Sequence, residues 1–454
     1  MPVSPARAAA FDILLRVERE SSYTSELLHS TTYARLSAPD HPLATELVMG
    51  VLRWRSRLDD EIVAATSRSK LDIEILIALR LALYQFRWLD RVPHRAALNE
   101  SVELVKRARK RSAAPFVNAV LRELSAAPQQ REVLANEIAN NENPSPETLA
   151  RLFAHPLWLV ERWAQEYGIP TAHQICQHNQ AIPKTAIRLR TPTAALALHQ
   201  EGITLEPGGL LLSARRAAGA ITKTQVFRSG QAVIQDEASQ LVAALVGSAL
   251  PKDRSRILDC CAAPGGKTLA IADRNPGATI TALELHPHRA RLLRKLLRAS
   301  HSGERIQVVV ADVQNPPLSL RFDRVLADVP CSGTGTLARN PEIKWRLVVK
   351  DLADLQARQS TILRSALAQV GPGGRLIYST CSLEKEENEN VVERALADNN
   401  SLHLLDCGSV LDGLKASGEL IWPDAGSLTR GPYLRTIPGV HPCDGFFAAI
   451  LERD

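Results

Sequence analysis

The chain has 454 residues, which at roughly 150 residues per domain predicts about three folded units. Its 45% hydrophobic and 23% charged residues exclude a disordered, collagenous or coiled-coil chain, and its 4% aromatics leave the cores to Leu, Ile, Val and Ala, which suit helices and parallel strands. The formal charge of +6 leans mildly toward a polyanionic partner and decides nothing alone.

The opening MPVSPARAAAFDILLRVERE breaks every apolar stretch with charge and does not read as a secretory signal. Ala8, Phe11 and Leu15 recur at helical spacing. The run Leu71 to Leu89 is apolar on most sides, but Asp72, Glu74, Arg80 and Arg87 lie inside it, so a buried central helix is expected and no membrane span. Pro93 opens a further helix, and FVNAVLREL, Phe116 to Leu124, forms another. Strand-like alternation is absent, which predicts an all-helical domain. Residues 1–125 hold 19 Lys and Arg against 15 Asp and Glu, and the remainder 36 against 34, so most of the basic excess lies here. KRARKR, Lys106 to Arg111, and RWRSR, Arg53 to Arg57, are its densest points.

From Ala126 to about Ala150 the chain turns polar, and Ser145-Pro146-Glu147 starts a helix. A helix is expected over LWLVERWAQEYG and a strand over AIRLR. After Gly230 short apolar runs alternate with amphipathic stretches: RILDC then KTLAIADR, ATITALE then HRARLLRKLLRAS, IQVVVA, RVLAD, and GRLIYST. That alternation predicts a mostly parallel sheet, whose ligands sit beyond the carboxyl ends of the strands. The expected organisation is an all-helical domain over 1–140, a linker and mixed α+β subdomain over 141–230, and an α/β core over 231–454.

The chemistry-bearing residues gather at those strand ends. The first strand runs into Asp259-Cys260-Cys261-Ala262-Ala263-Pro264-Gly265-Gly266-Lys267-Thr268, a strand–loop–helix turn whose glycines admit a ligand close to the backbone. Glu284 ends the second strand 18 residues past Gly266, an offset at which an acidic group commonly binds a ribose diol. Together they suggest an adenosine-containing cofactor. Asp312 and Asp328 end two more strands and are expected to face the same crevice. Cys331 and Cys381 follow adjacent strands beside it. The other cysteines are Cys176, Cys260, Cys261, Cys407 and Cys443. No two are spaced CxxC, so no metal site is expected, and free thiols fit a reducing cytoplasm better than a disulfide framework. The basic helix HPHRARLLRKLLR is read as a solvated outer face.

LDCCAAPGGKT, DVPCSGTG and YSTCSLEKEENE resemble the motifs of S-adenosylmethionine-dependent RNA cytosine-5 methyltransferases, and PEIKW and DGFFAAILER are similar to further segments of that family. RLALYQFRWLDRVPHRAALNESVELVK and FVNAVLR resemble the NusB-type RNA-binding domain. The combination, nearly end to end, is similar to bacterial enzymes acting on 16S ribosomal RNA. The resemblance implies a NusB-like all-α domain followed by a Rossmann-like class I methyltransferase core. It implies S-adenosylmethionine as cofactor, held by Cys261 to Lys267, Glu284, Asp312 and Asp328. Glu284 departs from the Asp of many relatives, but either carboxylate holds a diol. Cys260 is read as a packing residue.

Carbon 5 of cytosine is a weak nucleophile, and a thiolate adding to carbon 6 makes it an enamine-like one. The residues alone leave open which cysteine attacks. The resemblance implies Cys381 as nucleophile and Cys331 in release of the adduct, with Asp328 near ring nitrogen 3. The PC position attacks in the DNA enzymes. Lys267 is expected between cofactor and base, and Lys344 of PEIKW against RNA. The expected partner is 16S ribosomal RNA, as free RNA or an early small-subunit intermediate, bound by a monomer. The alternatives are the same chemistry on another RNA such as tRNA, and a non-catalytic RNA-binding assembly or antitermination factor.

Overall fold

Residues 3–20, 24–28, 33, 36–126, 144–247, 255–300 and 303–454 are those described by the computed structural model. They divide into two units: residues 1–182 with 337–347, and residues 183–336 with 348–454. The expected boundary near residue 140 lies outside the described residues, as does most of the polar stretch around it.

The first unit is helical. Its central helix is Ile73–Trp88, within the apolar run, and is buried along most of its length. Three polar side chains are buried with it and each is satisfied, as burial requires. Arg80 grips Asp59 through two nitrogens, at 2.6 and 2.7 Å, and also meets Glu18. Arg87 pairs with Glu61 and donates to Leu124 O, and Gln85 accepts from Arg7. Helices Pro5–Glu20, Asp40–Arg53, Arg55–Thr66, His94–Arg107 and Ala114–Ala126 surround it. Pro93 stands at the start of His94–Arg107, where a missing N–H costs nothing. The helix foreseen at Ser145 is Pro146–Leu152, with the Ser145 hydroxyl accepting from Thr148 N–H. LWLVERWAQEYG supplies Leu157–Tyr167, and Ile169–Gln180 follows.

Residues 337–347 join this unit across nearly 300 positions of sequence. Trp345 Nε1 donates to Leu52 O at 2.5 Å, Arg53 Nη2 to Ala338 O at 3.2 Å, and Thr24 N–H to the Glu342 carboxylate at 3.1 Å. Lys344 corrects the expectation of an RNA contact. It is 1% exposed and its ammonium donates to Arg53 O at 2.9 Å, so no phosphate reaches it. The two basic runs are also partly spent internally. Arg53 is buried and Arg55 pairs with Glu18. Lys106, Arg107 and Lys110 pair with Glu103, Asp12 and Asp72. Arg109 and Arg111 are exposed.

The second unit begins with an antiparallel sheet of β1 (Thr185–Leu189), β2 (Thr204–Pro207), β3 (Ala214–Ala218) and β4 (Ala232–Ile234), in the order β2-β3-β1-β4. β1 holds the AIRLR expected as a strand. Arg188 from it and Arg190 just past its end reach Asp273, and their paired guanidinium groups hold its carboxyl below the usual range in spite of burial.

The main sheet contains the α/β alternation: β5 (Arg256–Asp259), β6 (Thr279–Glu284), β7 (Ile306–Val310), β8 (Phe322–Asp328) and β9 (Val370–Thr380). These five are parallel, in the order β9-β8-β5-β6-β7. The chain moves outward from β5 to β7 and returns with β8 on the other side of β5, which makes the switch point of a Rossmann-like sheet. Beyond β9 the sheet becomes antiparallel. DGFFAAILER supplies β13 (Phe446–Arg453) against β9, with Ala448 opposite Ser379. β10 (Leu402–Leu405) and β12 (Tyr433–Thr436) pair with β13, and β11 (Thr429–Arg430) with β12. β13 is buried over Phe446–Leu451, so its outer neighbours protect what would be an exposed apolar edge. Helix Pro287–Ala299 buries Ala290, Leu293 and Leu297 and exposes Arg291, Arg294, Lys295 and Arg298, the solvated face expected of it.

Candidate active site

Every parallel strand delivers a functional residue to one end of the sheet. A cavity of about 230 Å³ opens there, and Cys261, Ala263, Glu284, Asp312, Asp328, Cys331 and Cys381 all line it. Ala262, Pro264, Gly265 and Gly266 shape the turn without forming its wall. Gly265 has φ +112°, and a Cβ there would lie 2.5 Å from Leu293 Cδ1, so both conformation and packing require glycine. Cys260 is buried in the apolar core beneath, as expected, and also touches the cavity. Asp259 turns away from it and accepts from Thr268 Oγ1 at 2.7 Å. Its other oxygen has no partner, and burial pushes the carboxyl up to about 6.

Asp328 is fixed from two sides: Lys267 Nζ donates to Oδ2 and Ser379 Oγ to Oδ1, each at 2.8 Å. Burial works against the Lys267 charge, but Asp328 outweighs it and the ammonium is held above its ordinary value. The Lys267 Nζ also stands 4.9 Å from the Phe446 ring centroid. The Glu284 Oε1 accepts from His286 N–H at 2.9 Å. Asp312 Oδ1 accepts from Gln314 N–H, which orients that carboxylate.

The sulfurs of Cys331 and Cys381 are 3.2 Å apart, and both residues are partly exposed. The hydrogen bond with Cys381, and then burial, push the Cys331 thiol well up. Burial, the largest cause for each, pushes up Cys176 and Cys407, to about 12, which marks them as inert packing residues.

Sequence reasoning missed several residues of this site. Arg358 and Ile362, from helix Val349–Leu367, line the cavity, as does Arg289, whose Nη2 donates to Ala263 O at 3.1 Å. Arg289 alone of its basic helix turns inward, and its position one turn into the helix beside the glycine loop was the available signal. Helical spacing offers none for Arg358.

A doubly wound sheet with a glycine turn, acidic strand ends and paired thiols at one switch point defines an S-adenosylmethionine-dependent methyltransferase. Residues 248–452 match the model of the family described as 16S rRNA methyltransferase RsmB/F, and residues 4–126 that of the NusB family. A probable ribosomal RNA small subunit methyltransferase B of Bacillus subtilis is 32% identical, over 100% of both chains. Its counterpart in Synechocystis is 33% identical over 99% of each. The crystal structure of PH0851 covers 100% of both chains at 21% identity with a TM-score of 0.78, which shows the shared fold. The chain belongs to the 16S rRNA methyltransferase RsmB/F family. Among the described residues no helix is long and apolar enough to cross a membrane, and no cluster of metal-ligating side chains occurs.

Proposed function

We propose that the protein methylates carbon 5 of a cytosine in small-subunit (16S) ribosomal RNA through a covalent adduct with Cys381. The observation that carries this reading is the 3.2 Å pair of sulfurs that lines the cavity together with Asp328, whose carboxylate Lys267 holds. Cys261, Ala263, Glu284, Asp312 and Asp328 would hold S-adenosylmethionine, with Glu284 taking the ribose hydroxyls. When bound, the cofactor supplies a methyl group on a sulfonium.

The Cys331 S–H donates a hydrogen bond to the Cys381 sulfur, and Cys381 attacks as its thiolate. Cys381 sulfur adds to carbon 6, and ring nitrogen 3 takes a proton from solvent, the new N–H facing the Asp328 carboxylate. Lys267 holds that carboxylate in place and balances its charge. Carbon 5, now nucleophilic, takes the methyl group. The bond to carbon 6 takes the Cys381 sulfur out of its hydrogen bond with Cys331, the largest cause holding the Cys331 thiol up. Cys331 then loses its proton to solvent and takes the one on carbon 5. Cys381 leaves as a thiolate, the carbon 5–carbon 6 double bond returns, nitrogen 3 gives its proton back to solvent, and the net product is one proton. The target base must be unpaired or flipped to reach this site. Exposed cations of the helical unit, Arg109 and Arg111 among them, supply phosphate contacts.

Bisulfite mapping of 16S RNA with and without the gene tests the substrate, and an unchanged methylation pattern refutes it. A denaturing gel tests the chemistry: Cys381→Ala abolishes methylation and Cys331→Ala accumulates a protein–RNA adduct. The reverse pattern refutes the assignment.

A further inference from the structure

Beneath the two cysteines lies a carboxylate that takes no part in those steps. Glu387 is 0% exposed and sits in a single helical turn, Lys385–Glu387, six residues after Cys381. Its Oε1 accepts from Ser332 N–H at 2.8 Å and from Gln359 Nε2 at 2.8 Å. Its Oε2 accepts from the hydroxyls of Ser332 and Ser382, whose oxygens are 3.0 Å apart. Ser332 directly follows Cys331, and Ser382 directly follows Cys381. One buried carboxylate thus ties together the two loops that carry the sulfurs. The same Gln359 amide also donates to Pro330 O, on the other side of Cys331. Tyr378 OH donates to the Glu387 carbonyl at 2.6 Å, which fixes the turn from β9.

A carboxylate suits this place because it only accepts. Four donors converge on its two oxygens, and they come from the PC loop, the TC loop and helix Val349–Leu367. An apolar residue would leave Ser332 N–H and the Gln359 amide without that acceptor in a closed interior, where unpaired donors are costly. The loops would still be joined by Gly335 N–H to Cys381 O and Leu383 N–H to Thr334 Oγ1, each at 2.9 Å, but the acceptor that holds Ser332 against Ser382, each next to a sulfur-bearing residue, would be gone. The sulfurs sit at the ends of those loops, so their spacing depends on the clamp.

We infer that Glu387 is a positioning residue that sets the distance between Cys331 and Cys381, and with it the release of the methylated base. The inference rests on the two-cysteine reading above. Adduct formation needs Cys381 alone, whereas release needs Cys331 within reach of the adduct, so a loosened clamp slows release more than attack.

The test uses the full-length protein, S-adenosylmethionine and a 16S RNA transcript. Glu387→Ala is expected to lower kcat by about ten-fold or more while leaving the cofactor KM within about two-fold, because misplacement by a fraction of an ångström acts on the chemical step. The adduct surviving denaturation should rise as it does in Cys331→Ala. Glu387→Gln keeps one oxygen for Ser332 N–H and Gln359 and offers an amide to the two hydroxyls, so it should recover most of the lost rate. Ser332→Ala and Ser382→Ala each remove one tether with little change in volume, and each should raise the adduct fraction by a smaller factor. They carry the test if Glu387→Ala does not fold. Adduct in Cys331→Ala but in none of the clamp variants overturns the inference alone. No adduct in Cys331→Ala overturns the two-cysteine reading instead. Equal loss in Glu387→Gln and Glu387→Ala, with both folded, overturns positioning by accepted hydrogen bonds.

Discussion

Replacing Lys344 by Met is expected to stabilise the helical unit. Burial pushes the Lys344 ammonium well below its ordinary pKa, and nearby Arg53 adds to the push. Folding therefore costs this side chain its proton or its hydration. Removing a buried charge of this kind gains roughly 1–4 kcal/mol. The substitution forfeits the bond to Arg53 O, about 1 kcal/mol. That carbonyl is not orphaned, because Gln180 Nε2 also donates to it at 3.1 Å. The contact with the Trp345 ring, 5.1 Å from its centroid, is kept in part by the Met stem. The balance is about 0–3 kcal/mol in favour of Met.

The pH dependence is sharper. Between the folded and unfolded pKa of Lys344, the unfolded chain binds one more proton than the folded one. Stability contributed by this group therefore rises with pH, by about 1.4 kcal/mol per unit, and Lys344→Met removes that slope. Urea denaturation followed by tryptophan fluorescence reads the right unit, since Trp54, Trp88, Trp158, Trp163 and Trp345 belong to it and only Trp422 to the other. Salt-dependent RNA binding gives a second reading: a lysine on a phosphate contributes about one unit to the slope of log affinity on log salt, and Met should leave the slope unchanged. A variant destabilised by more than about 1 kcal/mol, or a lost unit of salt slope, refutes the reasoning.

Two further outcomes follow from the main site. Asp259 rises from its ordinary 3.8 to about 6 in the fold, so the folded state holds the extra proton and stability falls as pH rises between those values, by about 3 kcal/mol. Asp259→Asn should gain that amount over the parent between about pH 4 and 7 in calorimetric melts, and an equal pH response of the two proteins refutes it. Gly265→Ala meets a positive φ and Leu293 together, which should cost about 2–5 kcal/mol and raise the cofactor KM. A thermal shift and a cofactor titration both unchanged from the parent would count against it.

The strand ends were legible in the sequence because a short apolar run followed by Asp, Glu or Cys has few readings in an α/β chain. Glu284, Asp312, Asp328, Cys331 and Cys381 accordingly meet around one cavity. The glycine turn was legible for a similar reason. Glu387 was not, because it lies in the run EKEENE, and such a run ordinarily coats a surface. What distinguishes it is a set of donors brought from 28 and 55 residues away, which no local pattern records. Lys344 was misread on the same principle in reverse: a lysine suggests solvent, and only the fold brings Arg53 O to it. The antiparallel strands beyond β9 also escaped, since their pairing partners are distant and their apolar runs short.

The return of residues 337–347 to the helical unit has a consequence for how the protein is made. The helices before residue 182 emerge from the ribosome first, yet the segment that caps Leu52 O, Arg53 O and Thr24 N–H emerges some 160 residues later. At about 5–20 residues per second that delay is roughly 10–30 s. The first unit to be synthesised is therefore completed only after most of the second has been translated. A polypeptide ended at residue 182 would lack that segment, so neither unit corresponds to one uninterrupted stretch of the gene.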